Sequence, residues 1–223
     1  VTDHKVDPDR LEVLQAPTAT KDGWGRGKCL YCGETVETTI SRIFTDTSSQ
    51  TYYSDAVDDC YARGVIKGIT EHQFGPNQNL TRGMLVTVLY RLADEPQVQT
   101  NAPFTDVSEG SYYAKAVAWA YGSGIAEGVT KERFAPNASA TREQMVVFFA
   151  RFARLSGKTV EATGDLRNYT DAGSVSPYAT EAMAWAVETG LIEGMTEHTL
   201  NPQGTSTRAQ AATILMRYCT MLG

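Results

Sequence analysis

Three arginines, each placed directly after a threonine, are the side chains of this chain best suited to binding an anion. A threonine before an apolar periodic run is a helix N-cap, so each arginine takes the first helical position, where the helix dipole disfavours a cation by up to about 1 kcal/mol. Each therefore needs a partner: either a carboxylate of a neighbouring unit, or a bound anion held by the guanidinium and free amides of the helix N-terminus. The pairs are Thr81-Arg82, Thr141-Arg142 and Thr207-Arg208.

Three further sets could contact a ligand, and each has a structural alternative. The aspartates could bind sugar hydroxyls or satisfy backbone amides of a turn. The tryptophans could stack on a sugar face or pack in a core. The glycines could let a ligand approach the backbone, although positive φ in a loop is the simpler role. The sets are Asp46, Asp106 and Asp171; Trp119 and Trp185; and Gly68, Gly128 and Gly194.

These candidates recur because one pattern is written three times without internal gaps. Each copy runs from an alanine to the arginine 26 positions later, and successive copies are offset by 60 and then 66 residues. Such a repeat is one supersecondary unit that needs its neighbours to bury its apolar face. The copies span Ala56 to Arg82, Ala116 to Arg142 and Ala182 to Arg208.

Each unit is predicted to be helix, loop, helix. A glycine caps the first helix (Gly64, Gly124, Gly190), a large apolar residue anchors the loop (Phe74, Phe134, Leu200), and the second helix carries an i, i+3, i+4, i+7 stripe. Gln144 and Gln210 complete capping boxes that Met84 cannot. The predicted stripes are Leu85, Val88, Leu89 and Leu92; Met145, Phe148, Phe149 and Phe152; and Ala211, Ile214, Leu215 and Tyr218.

The repeat resembles the S-layer homology family. That family's opening Phe-x-Asp-Val element matches Phe44-Thr45-Asp46-Thr47 and Phe104-Thr105-Asp106-Val107, and more weakly Tyr169-Thr170-Asp171-Ala172. Its closing Thr-Arg-Ala-Glu motif is represented by the three Thr-Arg pairs, without the acidic fourth residue. The resemblance implies a mainly α fold in which three units surround a shared helical core with pseudo-three-fold symmetry. The expected divisions are an irregular or β spacer at 1–41 and repeats at 42–96, 97–160 and 161–223, the repeats forming one domain.

The charge and the hydrophobicity of the chain restrict the classes of binding partner that can be expected. The formal net charge is −6 and no long basic run occurs, so neither nucleic acid nor an anionic membrane is an expected partner. No stretch approaches 18 consecutive apolar residues, so membrane insertion is not expected either. The chain begins at Val1, and we expect a segment of a longer protein whose signal peptide is absent.

Two of the four cysteines form a C-x-x-C element, Cys29 to Cys32. It could be half of a zinc site, with His4 the only further ligand nearby; it could form a local disulfide; or the thiols could be free. Because a complete zinc site needs four ligands, neither a metal nor any other cofactor is predicted. Cys60 and Cys219 replace alanines of the sister repeats and are expected to be reduced and buried.

No catalytic residue is predicted, because the histidine positions vary between repeats and no nucleophile or metalloprotease motif occurs. The resemblance implies a non-enzymatic module, expected to be a monomer in isolation. It would anchor a surface protein to the wall of a bacterium, expected to be Gram-positive, by binding an anionic secondary cell-wall polysaccharide in grooves between repeats. In the family this polysaccharide often carries a pyruvate ketal. A protein–protein scaffold module of a surface layer is the alternative.

The first repeat departs furthest from the family pattern. Gly83-Met84 follows Arg82, and Asp59 stands where the other copies have Trp119 and Trp185. Because a glycine weakens the first helical turn and Asp59 would repel a carboxylate, the motif around Arg82 is expected to contribute least to glycan binding. Replacing Arg142 and Arg208 by alanine is expected to weaken binding while leaving the fold intact.

Overall fold

The computed structural model describes residues 4–98 and 102–222, and helices dominate them. Three strands precede the repeats: β1 (Glu12–Gln15), β2 (Gly23–Lys28) and β3 (Thr35–Ile40). The six α-helices are α1 (Ser54–Ala62), α2 (Arg82–Leu92), α3 (Ala114–Gly122), α4 (Arg142–Leu155), α5 (Thr180–Glu188) and α6 (Arg208–Leu222). Among the described residues, no helix is both long and apolar enough to cross a membrane.

The chain forms two compact units, residues 1–76 and 77–223, so the division falls between the two helices of the first repeat. In the second unit, α2 packs against α3 and α4 packs against α5. The second helix of one repeat therefore packs on the first helix of the next. A repeat with this arrangement buries its apolar stripe against its neighbour rather than within itself.

The first unit contains an antiparallel sheet in the order β1-β2-β3, joined to α1. The sequence predicted an irregular or β spacer here, and the structure forms three strands, with residues 16–22 connecting β1 to β2. Few side chains of the sheet are buried, since those of β1 are all exposed and those of β3 alternate between exposed and half-buried.

Most of the predicted core positions are confirmed. The loop anchors Phe74, Phe134 and Leu200 are fully buried, and all eight predicted positions on α4 and α6 are buried. On α2 the prediction was wrong for Val88 and Leu92, which are half-buried. Cys60 is buried and reduced as predicted, but Cys219 is partly exposed. Cys219 directly follows Tyr218, the last residue of the buried stripe on α6, and so lies at the side of that stripe.

Candidate functional site

The threonine caps form as predicted. The side chains of Thr81 and Thr141 accept hydrogen bonds from the backbone amides of Met84 and Gln144, each at 3.2 Å. The amide of Thr141 in turn donates to Oε1 of Gln144, which completes a capping box. The same pair of bonds joins Thr207 and Gln210 at 3.3 and 3.0 Å. Each second helix therefore begins at its arginine.

The amides at these helix starts are occupied, which corrects the expectation that they are free to bind an anion. The amide of Arg82 donates to the carbonyl of Ala138 at 2.9 Å, and that of Arg142 donates to Gly204 at 2.8 Å. The amide of Arg208 donates to Gln78 at 2.8 Å. In each case the acceptor lies in another repeat's interhelical loop. The helix starts are thus used to link repeats.

Short β-bridges reinforce this linkage. Thr81 pairs with Ser139, Thr141 pairs with Thr205, and Asn79 pairs with Thr207. The segments before α2, α4 and α6 are therefore connected first to second, second to third and third to first. This connection fixes where each of the three arginines enters its helix.

The guanidinium groups of Arg82 and Arg142 are buried, with 4% of each residue exposed, and both bind backbone carbonyls of the following repeat. Arg82 donates from Nε to the carbonyl of Phe134 at 2.9 Å and from Nη2 to that of Glu127 at 2.8 Å. Arg142 makes the equivalent bonds to Leu200 at 2.9 Å and Glu193 at 3.0 Å. Of the two partners considered for these arginines, a carboxylate of a neighbouring unit is not what the structure shows within its described residues, where the acceptors are carbonyls. A carbonyl presents only a partial charge, so the positive charge is not cancelled.

Burial lowers the pKa of both Arg82 and Arg142 from the ordinary guanidinium value, although each stays protonated. No ion pair to either guanidinium occurs within the described residues. A buried charge without an opposite charge is costly. Rings offset part of that cost for Arg82, whose Cζ lies 4.6 Å from the centroid of Phe134 and 5.4 Å from that of Phe148.

A groove of about 390 Å³ opens beside Arg82. It lies between α4 and the loop that follows α3, with Tyr178 from the third repeat also in its lining. Among the described residues, Nη1 of Arg82 has no acceptor. The groove is lined by Arg82, Glu127, Gly128, Val129, Gln144, Val147, Phe148, Arg151 and Tyr178.

A second arginine stands on the wall of this groove and was missed in the sequence. Arg151 lies nine residues after Arg142 on α4, its side chain is 28% exposed, and its Nη2 lies 3.4 Å from Oε1 of Glu127. Arg217 on α6 is placed in the same way against Glu193 at 3.1 Å. Arg91 completes the series on α2. Comparing the three copies beyond the Thr-Arg pair would have found this recurrence.

Tyr178 was also missed. It is 55% exposed, and its equivalents Tyr52 and Tyr112 are 68% and 62% exposed. Each stands four residues before the alanine that opens a copy. A tyrosine presents an apolar ring face and a polar hydroxyl, so an exposed tyrosine that recurs in three repeats is suited to ligand contact.

The orientation of Tyr178 depends on Glu143, which is only 2% exposed. The Tyr178 hydroxyl donates to Oε1 of Glu143 at 2.8 Å, and the amide and hydroxyl of Ser176 donate at 2.9 and 2.8 Å. Burial raises the pKa of Glu143, but these bonds outweigh it, so the pKa lies below its ordinary value. Burial, followed by the bond to Glu143, raises the pKa of Tyr178 to about 12.

The three aspartates are engaged with their own repeats. The carboxylate oxygens of Asp46 accept from the amides of Phe74 at 2.7 Å and Gly75 at 2.8 Å. Asp106 and Asp171 make the corresponding pairs of bonds. They hold the turn whose middle residue has a positive φ: Gly75, Ala135 and Asn201. Of the two roles considered, the contacts correspond to satisfying backbone amides.

The role expected for Gly68, Gly128 and Gly194 was wrong, because none has a positive φ. Each of these positions is a glycine because the surrounding atoms leave no room for a side chain. A Cβ at Gly68 would lie 2.6 Å from Cε1 of Phe44, and one at Gly128 would lie 2.5 Å from the same atom of Phe104. The aromatic residue that opens each repeat therefore packs directly on this glycine.

Trp119 and Trp185 are packed in the core, with 9% and 5% exposed. The Trp119 ring lies 5.5 Å from that of Tyr90 and 6.1 Å from that of Phe152. Between the roles considered for these tryptophans, the burial corresponds to packing.

Comparison with known proteins identifies the family to which the three repeats are similar. A family model described as S-layer homology domain matches residues 43–83, 103–146 and 168–212. The chain is 28% identical over 195 residues, or 87% of its length, to an exoglucanase of Acetivibrio thermocellus. It is 31% identical over 174 residues (78%) to an amylopullulanase of Thermoanaerobacterium thermosulfurigenes. It is also 31% identical over 169 residues (74%) to a surface-layer 125 kDa protein of Lysinibacillus sphaericus. The matches cover only 18%, 9% and 14% of those relatives.

Proposed function

The chain belongs to the S-layer homology family, and from that premise we propose that it anchors a surface protein to the bacterial cell wall by binding an anionic wall glycan non-covalently. The relatives support a role separate from catalysis. An exoglucanase, an amylopullulanase and a surface-layer protein share this small portion of their length, although their names describe different activities. A module common to all three most simply supplies a common location.

The groove beside Arg82 supplies the chemistry for an anionic sugar. Arg82 carries a buried charge that the protein does not neutralise, and Arg151 adds a second guanidinium at the groove wall. A guanidinium fork fits a carboxylate through two charge-assisted hydrogen bonds, and the carboxylate of a pyruvate ketal on a secondary wall polysaccharide has that geometry. The exposed ring of Tyr178 offers a face for the sugar. These contacts support the binding role of the arginines.

We propose that the Arg82 groove contributes more than the sequence suggested. Gly83 has a packing reason, since a Cβ there would lie 3.0 Å from the carbonyl oxygen of Pro136, which accepts the Gly83 amide. The Asp59 carboxylate is paired with Nε of Arg63 at 2.9 Å, which reduces its repulsion of an anion. Both arguments for ranking Arg82 last are therefore weakened. Arg142 and Arg208 remain proposed ligand-binding residues of their own grooves.

The wider proposal follows the family. The three repeats form one domain around a common helical centre, and the protein is a monomer in isolation. It acts as the anchoring part of a longer surface protein in the wall of a Gram-positive bacterium. The linked segments before α2, α4 and α6 support that arrangement.

Sedimentation with cell-wall sacculi tests the proposal. The purified chain should sediment with intact sacculi and lose binding after the secondary polysaccharide is stripped. Arg151→Gln should lower the affinity by about tenfold or more, because a hydrogen bond to a charged group is worth about 1.5–3 kcal/mol. Arg154→Gln is the matched control, since Arg154 lies on the same helix and pairs with Glu181 at 2.6 Å. Binding that survives stripping would instead support the scaffold role.

A further inference from the structure

A second group of reactive side chains lies in the amino-terminal unit, outside the repeats. The side-chain donor atoms of His4, Cys29 and Cys32 all lie within 4.8 Å of one another. Sγ of Cys32 is 3.5 Å from Nδ1 of His4 and 3.8 Å from Oε2 of Glu34. The thiols of Cys29 and Cys32 are both free. Two sulfurs and an imidazole thus converge on one point, and the Glu34 carboxylate lies beside one of the sulfurs.

The backbone builds this cluster from the β2–β3 hairpin. Cys29 follows β2, and its amide and carbonyl bond with Glu34 and Gly33 at 2.8 and 2.9 Å. Gly33 has a φ of 71°, which closes the turn with both cysteines on one side. The amide of Tyr31 lies 3.4 Å from Sγ of Cys29 and donates to it. A turn that directs amides at a sulfur stabilises a thiolate and so prepares a metal ligand.

The segment that carries His4 packs closely against the hairpin because β2 has a glycine, Gly27, at the point of contact. Val6 pairs with Cys29, and the amide of Leu30 donates to the carbonyl of Lys5 at 2.8 Å. Gly27 permits this approach, since a Cβ there would collide with the side chain of Val6. Three ligands from two separate segments are therefore held together by backbone bonds.

We propose that Cys29, Cys32 and His4 bind Zn²⁺, with Glu34 as the fourth ligand. Bond lengths of about 2.3 Å to sulfur and 2.0 Å to nitrogen in a tetrahedron separate neighbouring donors by roughly 3.5–3.8 Å. The Cys32–His4 distance of 3.5 Å and the Cys32–Glu34 distance of 3.8 Å have that spacing, and the Glu34 carboxylate would turn towards the other two donors on binding. Thiolates with imidazole favour Zn²⁺ over Ca²⁺ or Mg²⁺, which prefer oxygen.

The surrounding sheet gives the metal a structural role. Its three strands bury few side chains, and a small sheet without a core usually needs a disulfide or a metal to hold its shape. A bound ion would tie the segment at His4 to the β2–β3 turn. The site does not involve the groove arginines. Its test therefore does not depend on whether the chain binds a glycan.

Cobalt substitution tests the site in the full chain. The reduced, metal-free protein should develop thiolate-to-Co²⁺ charge-transfer absorption on titration with Co²⁺, and Zn²⁺ should abolish it by displacement. Cys29→Ser, Cys32→Ser and His4→Gln should each lower Zn²⁺ affinity by more than about 100-fold, since loss of an outer-shell partner alone costs about 10–100-fold. Glu34→Gln should also lower it.

Cys60→Ala and Cys219→Ala are the matched controls and should retain the absorption, since neither lies in the cluster. Zn²⁺ should also slow hydrogen exchange of the amides in β2 and β3, which reports binding without relying on a spectrum. Absence of absorption in the reduced wild type, or its persistence in Cys29→Ser and Cys32→Ser, would overturn the proposal. Unchanged affinity in Glu34→Gln would overturn the assignment of the fourth ligand.

Discussion

Arg82 and Arg142 make the same hydrogen bonds in different surroundings. Each binds two carbonyls of the following repeat, at 2.8–3.0 Å. Arg82 also lies over Phe134 and Phe148, where Arg142 has Leu200 and Ile214 at the equivalent positions. The shared bonds hold adjacent repeats together, while the variable neighbours determine what each groove can bind. The recurrent arginine is therefore a structural element first, and the residues that differ around it set specificity.

Replacing Arg82 and Arg142 one at a time should give the largest changes in the free energy of unfolding. We expect Arg82→Ala to lower the free energy of unfolding by about 3 kcal/mol and Arg142→Ala by about 2 kcal/mol, since each leaves two buried carbonyls without a donor and only Arg82 also loses its ring contacts. Urea unfolding at constant m-value measures both. Arg154→Ala, which removes a partly exposed arginine, is the control. Equal losses at Arg82 and Arg142 would mean that the rings contribute nothing.

This expectation revises the view that arginine replacement spares the fold. The repeat, the helix starts and the caps followed from the sequence, because they depend on spacing within one copy. The partners of the arginines did not, because they are carbonyls, which every residue carries and no motif marks. The same reason explains why Asp46 could not be assigned: its partners are the amides of Phe74 and Gly75.

Other features were missed although the sequence contained a signal. Arg151 and Tyr178 have equivalents in all three repeats, but they lie outside the alanine-to-arginine segment that defines each copy. The role of Gly128 could not be read from its type, because glycine serves both positive φ and close packing, and only the position of Phe104 decides between them.

Lowering the pH should weaken the stabilisation at the start of α4 more than that at the start of α6. Glu143 accepts three hydrogen bonds at the start of α4, whereas Ala209 stands at that position in α6. Its pKa in the folded protein is below the ordinary value of 4.5, so its stabilisation is complete above that pH and is lost as the pH falls through the folded pKa. Glu143→Gln should therefore cost about 2 kcal/mol at neutral pH and progressively less in acid.

Urea unfolding across that pH range measures the difference between wild type and Glu143→Gln. Replacement of an exposed carboxylate, Glu161→Gln, is the control and should leave a nearly constant difference. A Glu143→Gln deficit that does not shrink in acid would show that shape, rather than charge, makes the contribution.

The carboxylates that face the groove arginines offer a smaller test with the opposite sign. Glu127 lies 3.4 Å from Arg151, and its side chain is 74% exposed. It competes with an anionic ligand for the same guanidinium, so Glu127→Gln should strengthen sacculus binding about two- to fivefold, within the range of an exposed ion pair. Glu132→Gln, on the polar loop that follows, is the control. Weaker binding by Glu127→Gln would place Glu127 among the ligand's own partners.

The smallest effect concerns the helix caps. Gln144 closes the capping box of α4, whereas Met84 leaves the amide of Thr81 without that side-chain acceptor at the start of α2. Exchanging the residues should move stability in opposite directions: Met84→Gln should raise the free energy of unfolding and Gln144→Met should lower it, each by about 0.5 kcal/mol. Urea midpoints of the two variants and of the double exchange measure this. Because the caps lie on different helices, the changes should cancel in the double exchange. A lower midpoint for Met84→Gln would instead show that the contact between Sδ of Met84 and Nη1 of Arg208, at 3.7 Å, outweighs the cap.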